Sequence, residues 1–164
     1  MRIDGFKGGE SLKTKLQEIL DKVKGTQTVK VGFLEGATYP DGTPVPMVAA
    51  LNEYGTSKAP SRPFFRNMIA EKSPNWGKSM AAVAKANDYD MPKVLALMGE
   101  GIGGQLQQSI VQFNSVPLAD STIANKGFDK QLIDTAVMIN SVGYQVNNGD
   151  KVILPPAASG GKPK

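Results

Sequence analysis

Between residues 9 and 24 the apolar side chains Leu12, Leu16, Ile19, Leu20 and Val23 recur at helical spacing, and Lys13, Lys15, Glu18, Asp21 and Lys22 fill the other side. This is an amphipathic helix with one apolar stripe, and Gly25 stands where a left-handed C-terminal cap is wanted. The period then drops to two. Within 27–34, Val29, Val31 and Phe33 point one way, which predicts a strand with one buried face. Residues 35–46 hold Gly36, Pro40-Asp41-Gly42, Pro44 and Pro46, so a projecting loop is expected there. Pro46 suits the first turn of a short helix through Met47, Val48, Leu51 and Tyr54, stopped by Gly55.

After a second loop at 56–62, Pro63 opens a helix whose apolar positions are Phe64, Phe65, Met68 and Ile69. Ser73-Pro74 predicts a kink or a restart before Trp76, Met80 and Val83. Asp90 caps a long helix over 91–113, about 34 Å at ~1.5 Å per residue, with the stripe Leu95, Met98, Ile102, Leu106, Ile110 and Phe113. A loop follows at 114–119, then a helical turn from Ser121 to Lys126 ended by Gly127, and a short helix over 135–141 capped by Asp134. Val142, Tyr144 and Val146 alternate, Asn147-Asn148-Gly149-Asp150 turns, and Val152 and Leu154 return as a hairpin. The expected class is α+β, with a small, mostly antiparallel sheet from 27–34, 142–147 and 151–154 packed against the long helix and several shorter ones. We expect a single domain over 1–154 and a flexible tail over 155–164, where Pro, Ala, Gly, Ser and Lys leave little to bury.

Composition narrows the chemistry. The 164 residues contain no Cys and no His, which excludes disulfides, thiolate nucleophiles, Cys-based metal sites and His-based catalysis. The chain is therefore expected not to be an enzyme and to carry no cofactor or metal. Its net charge is +4, from 16 Lys and 3 Arg against 15 acids, with no basic arm. So few Arg argue against a protein that reads DNA sequence. No apolar run is long enough to span a bilayer, so no membrane partner is expected, and synthesis is placed in the cytoplasm.

Some motifs invite sharper readings. Gly99-Glu100-Gly101-Ile102-Gly103-Gly104 looks like a phosphate loop, but no strand precedes it and no Gly-Lys-Ser/Thr follows. Four glycines inside a helix cost about 0.8–1 kcal/mol each against Ala. Close approach by a neighbouring helix or subunit is the expected compensation. Asp88 and Asp90 form a possible metal pair, read here as solvated acids in a capping loop. Ser57-Lys58 and Lys78-Ser79 lack any oxyanion-hole signature. Phe64, Phe65 and Trp76 could stack on bases, yet beside Met68 and Met80 at helical spacing they fit a core or a subunit interface, where both Phe rings are expected to be mostly buried.

Six short motifs stand in order: Val31-Gly32-Phe33-Leu34-Glu35-Gly36, Glu53-Tyr54-Gly55-Thr56, Arg62-Pro63-Phe64-Phe65, Gly104-Gln105-Leu106-Gln107-Gln108-Ser109-Ile110, Ser121-Thr122-Ile123 with Lys126-Gly127, and Leu132-Ile133-Asp134-Thr135. In these the chain resembles the neck and tail-completion (minor tail) proteins of long-tailed double-stranded-DNA bacteriophages. It departs at Ala136, where that family's pattern has Gly, and at Leu118-Ala119-Asp120, where Leu-Ser-Pro is usual. The resemblance implies a structural virion protein, assembled in the bacterial cytoplasm, that completes the tail or joins it to the head. It implies a homo-oligomer, commonly a hexameric ring, in contact with the tail terminator and head-tail connector, with double-stranded DNA passing through the lumen. The alternatives are a tail-tube terminator and an accessory non-specific DNA-binding module. The residues expected at the assembly interface are Arg62, Pro63, Phe64, Phe65 and Arg66, the loop Tyr39, Pro40, Asp41 and Gly42, and Asp134 with Thr135.

Overall fold

The computed structural model describes residues 8–58, 60–114 and 136–156. The elements run α1 (Gly8–Lys22), β1 (Val29–Phe33), α2 (Val45–Tyr54), α3 (Phe64–Ala86), α4 (Met91–Asn114), β2 (Val142–Val146) and β3 (Lys151–Ile153), with a helical turn over 136–140 ahead of β2. The fold is α+β. The three strands form one antiparallel sheet in the order β1-β2-β3, with Val31 opposite Tyr144 and Tyr144 opposite Val152. The turn between β2 and β3 holds Asn147 and Asn148 at φ 49° and 58°, and Gly149 N–H donates to Val146 O. Asn tolerates this left-handed pair, which matches the twist of a two-stranded ribbon.

Helix α4 is the centre of the core. Val94, Leu95, Met98, Leu106 and Ile110 are all buried, so the stripe read along 91–113 is the face turned inward. Two of its four glycines sit against the sheet. A Cβ on Gly99 would lie 2.8 Å from the Tyr144 ring, and one on Gly103 would run into Leu154 Cδ1. Backbone approach thus compensates for those two positions, and the neighbour is the β2–β3 hairpin rather than a helix. Gly101 and Gly104 face open space among the described residues.

Side-chain polar groups close the remaining gaps. Gln107, almost wholly buried, donates from Nε2 to Ile139 O and Pro155 O, tying the helical turn and the chain after β3 to α4. Ser109 Oγ donates to Phe64 O at 2.7 Å, and Trp76 Nε1 donates to Gln105 Oε1 at 2.9 Å, which joins α3 to α4.

Four expectations change. Helix α3 runs unbroken through Pro74 instead of kinking or restarting there. Pro74 lies on the exposed side, as does Ala70 four residues earlier, so the carbonyl that loses its N–H partner faces water. The 35–46 segment is not a free loop. Tyr39 is buried, Tyr39 N–H donates to Thr43 O, Val45 N–H donates to Ala37 O, and Thr43 N–H donates to Asp41 Oδ1. Helix α2 buries Val45, Ala49 and Glu53, while Met47, Leu51 and Tyr54 are exposed. Finally, the α1 stripe is largely open among the described residues: Leu12, Leu16 and Leu20 are 56%, 52% and 55% exposed, and Ile19 is half-buried.

Candidate assembly surface

Helix α3 begins without a cap of its own. Its N-cap residue is Pro63, which offers no side-chain acceptor, and no side-chain cap bond forms there. The first N–H groups of a helix need acceptors when they are not open to water. They find one on another helix. Glu53, near the end of α2, accepts from Phe65 N–H at Oε2 (2.9 Å) and from Arg66 N–H at Oε1 (3.1 Å). A carboxylate also suits the positive end of the α3 dipole.

Arg66 completes the junction. Its Nε donates to Glu53 Oε1 at 2.8 Å, its Nη2 donates to Glu53 O at 3.1 Å, and its guanidinium lies 5.2 Å from the centre of the Tyr54 ring. The connecting segment is held at both ends. Gly55, at φ 77°, closes α2 by donating to Leu51 O, and Arg62 N–H donates to Asn52 O at 2.6 Å. The φ at Gly55 is one that side-chain-bearing residues seldom adopt, so glycine fits this helix end.

The aromatic pair divides its work. Phe64 is buried and meets Phe33 edge-on at 6.3 Å. Phe65 is half-buried, and its ring lies over Gly32, where a Cβ would be 3.6 Å away. Between α2 and the start of α3 a groove of about 380 Å³ opens, lined by Phe33, Pro46, Ala50, Phe65 and Ile69 together with Glu53, Tyr54 and Arg66. Of its lining side chains, Tyr54 is 70% exposed and Ile69 37%, whereas the exposed Met47 and Leu51 lie farther round α2.

The other expected interface residues fall as follows. Pro40, Asp41 and Gly42 form an exposed turn that the Val45–Ala37 bond fixes at the start of α2. Tyr39 belongs to the core, not to an interface, because its ring packs in the cluster around Leu106 and Ile110. Asp134 and Thr135 lie outside the described residues, as do the 115–135 expectations and residues 157–164 of the tail. Glu53 is the site residue that sequence reasoning left out. The available signal was that it is the one acid between residues 36 and 70 besides Asp41, placed on a helix otherwise apolar up to Asn52.

A second cavity, at the corner between α3 and α4, is lined by Asn87, Asp88, Tyr89, Asp90, Lys93 and Lys22 of α1. Lys22 Nζ donates to Asp88 O there at 2.9 Å. Among the described residues no three His, Cys, Asp or Glu side chains gather as they would for a metal ion, and no helix is long and apolar enough to cross a membrane. No family model, no curated protein and no solved structure matches this chain.

Proposed function

We propose that this protein is a structural component of a long-tailed double-stranded-DNA phage particle, one that completes the tail or joins it to the head as a ring at the neck. It acts by assembly and not by catalysis. DNA passes through the ring, and neighbouring neck and tail proteins seat on its faces. The supporting observation is the α2–α3 junction. Glu53-Tyr54-Gly55 and Arg62-Pro63-Phe64-Phe65, two of the motifs that carry the resemblance, form one hydrogen-bonded unit through Glu53 and Arg66. That unit is tied by four hydrogen bonds between Glu53 and residues 65–66, is edged by the exposed Tyr54 and Ile69, and has no catalytic logic. These are properties of a part that positions neighbours.

Deletion of its gene from the phage genome that carries it tests the reading. The expected lysate contains filled heads and separate tails, and added protein restores joined, infectious particles. Normal particles from the deletion strain, or absence of the protein from purified particles, refutes the reading. Steep, salt-sensitive binding to duplex DNA by the isolated chain would favour the accessory DNA-binding alternative.

A further inference from the structure

We infer that Asn148 is a self-modification site. With no enzyme, its side chain closes onto the Gly149 nitrogen and loses ammonia, and opening of the turn between β2 and β3 sets the rate. The inference is independent of the role proposed above. The sequence holds one Asn-Gly step, at 148–149, and the structure places it in an exposed turn. Glycine has no side chain to crowd its own nitrogen, so that nitrogen can approach the neighbouring amide carbon.

The chemistry balances with water as the only co-reactant. The Gly149 amide gives its proton to water or hydroxide, and its nitrogen pair forms a bond to Asn148 Cγ. The Cγ–Nδ2 bond breaks, and the departing nitrogen takes up a proton and leaves as ammonia. Water then opens the cyclic imide at either carbonyl. One product is aspartate with the backbone unchanged. The other is isoaspartate, in which the chain runs through the side-chain carbons. In both, a neutral amide has become a carboxylate.

The folded turn restrains the step in two places. Gly149 N–H is held on Val146 O at 2.8 Å, so a base cannot take that proton until the turn opens, as in amide exchange. Asn148 Oδ1 accepts from Lys30 Nζ at 2.9 Å, which fastens the side chain to β1. Asn147 is spared. Its Oδ1 accepts from Thr28 N–H at 2.9 Å, and the residue after it carries a side chain.

The two products suit the fold unequally. Aspartate at 148 keeps an oxygen beside Lys30 and turns that contact into an exposed ion pair, which alters stability little. Isoaspartate lengthens the backbone of the turn. It displaces Gly149 from Val146 O and pulls on β3, where Val152 faces Tyr144 and Leu154 N–H donates to Val142 O.

Peptide mapping by mass spectrometry, on the full chain held in warm, mildly alkaline buffer, follows conversion at each asparagine. In the folded chain, aspartate and isoaspartate should accumulate at 148 ahead of every other asparagine. In denaturing urea the conversion should be faster. Lys30 is exposed, so Lys30→Met should keep the fold by circular dichroism while freeing the Asn148 side chain. Conversion in the folded variant should rise about 2–10-fold, the change in open fraction that one net hydrogen bond sets. Gly149 amide exchange should rise by the same factor, and the rate in urea should not change. Asn148→Asp should melt with the unmodified protein. Earlier conversion at another asparagine, or none at 148 in a folded chain whose unfolded form converts, overturns the site. Equal rates in the folded chain and in urea overturn the gate. So does a Lys30→Met rate that is unchanged or slower, the slower case making Lys30 an activator that draws electron density from the amide. An Asn148→Asp chain that melts early overturns the fit of the aspartate product.

Discussion

Replacing Glu53 by Ala removes the acceptor for two backbone N–H groups at the start of α3 and leaves Pro63 with nothing to offer in its place. A hydrogen bond to a charged group contributes about 1.5–3 kcal/mol, and an abandoned buried donor costs a similar amount. Two such bonds place Glu53→Ala at about 3–5 kcal/mol. Arg66 is a different matter. Its side chain is 54% exposed, so water replaces most of what the ion pair supplies, and Arg66→Ala should cost about 1 kcal/mol or less. Glu53→Gln keeps one carbonyl acceptor but turns an amide toward the other N–H, for about 2 kcal/mol. The order Ala > Gln > Arg66→Ala thus separates capping from ion pairing. Urea unfolding followed by circular dichroism measures it, with the slope m checked for constancy. At roughly 2–4 °C per kcal/mol for a chain of this size, Glu53→Ala should melt about 10 °C early. If Arg66→Ala and Glu53→Ala cost the same, the carboxylate serves the guanidinium and not the helix, and the capping argument falls.

Gly99→Ala should destabilise by about 1–3 kcal/mol, because its Cβ would meet the Tyr144 ring and Cβ at 2.8–2.9 Å. Gly101→Ala, which meets nothing within 4 Å, should stabilise by about 0.5–1 kcal/mol, and parallel urea titrations read both. Gln107→Ala leaves the Ile139 and Pro155 carbonyls without their donor, for about 1–3 kcal/mol, and should speed amide exchange at Leu154, whose N–H bonds Val142 O. In the free protein the amides of Tyr39 and Val45 should exchange more slowly than those of Glu35 and Gly36. A uniformly fast 35–46 segment would contradict the buried Tyr39.

The legible parts of the fold were those where hydrophobic period and burial coincide. Helix α4 is enclosed by α3 on one side and the sheet on another, so its stripe in the sequence is its buried face, and the glycines at 99 and 103 signalled close approach. The illegible parts turn on polar groups. Helix α2 carries its large apolar residues on the side opposite Glu53, and periodicity favoured Met47, Leu51 and Tyr54. The carboxylate decides the orientation instead, because α3 starts on Pro63 and needs an acceptor from outside. Arg62 to Arg66 stand together in the sequence as one motif, and Glu53, from another helix, is what bonds that segment through Phe65 and Arg66. A rule that asks which acid caps a helix begun by Pro would have found it. Pro74 is tolerated for a related reason: it removes one backbone bond and crowds the Ala70 carbonyl, but that side of α3 is exposed, so water can take the freed acceptor.

The remaining mismatch differs in kind. Helices α1 and α2 both carry regular apolar stripes, and most of each faces solvent among the described residues, although Ile19 is half-buried and Val48 packs against the core. Periodicity in a sequence records burial in whatever state selection acted on, whereas a single chain records only what it can bury by itself. For α4 the two agree. For α1 the balance is unfavourable in isolation: a 15-residue helix is marginal in water, and its half-exposed leucines recover little of the conformational entropy lost on ordering. The described residues of the fold therefore do not account for the stripe's regular spacing. The same reasoning applies to Tyr54, which is 70% exposed while stacked on an arginine that a buried carboxylate holds in place. An aromatic ring held rigid and left open has already given up its mobility before any partner arrives, so docking there incurs less entropic cost than docking on a mobile side chain.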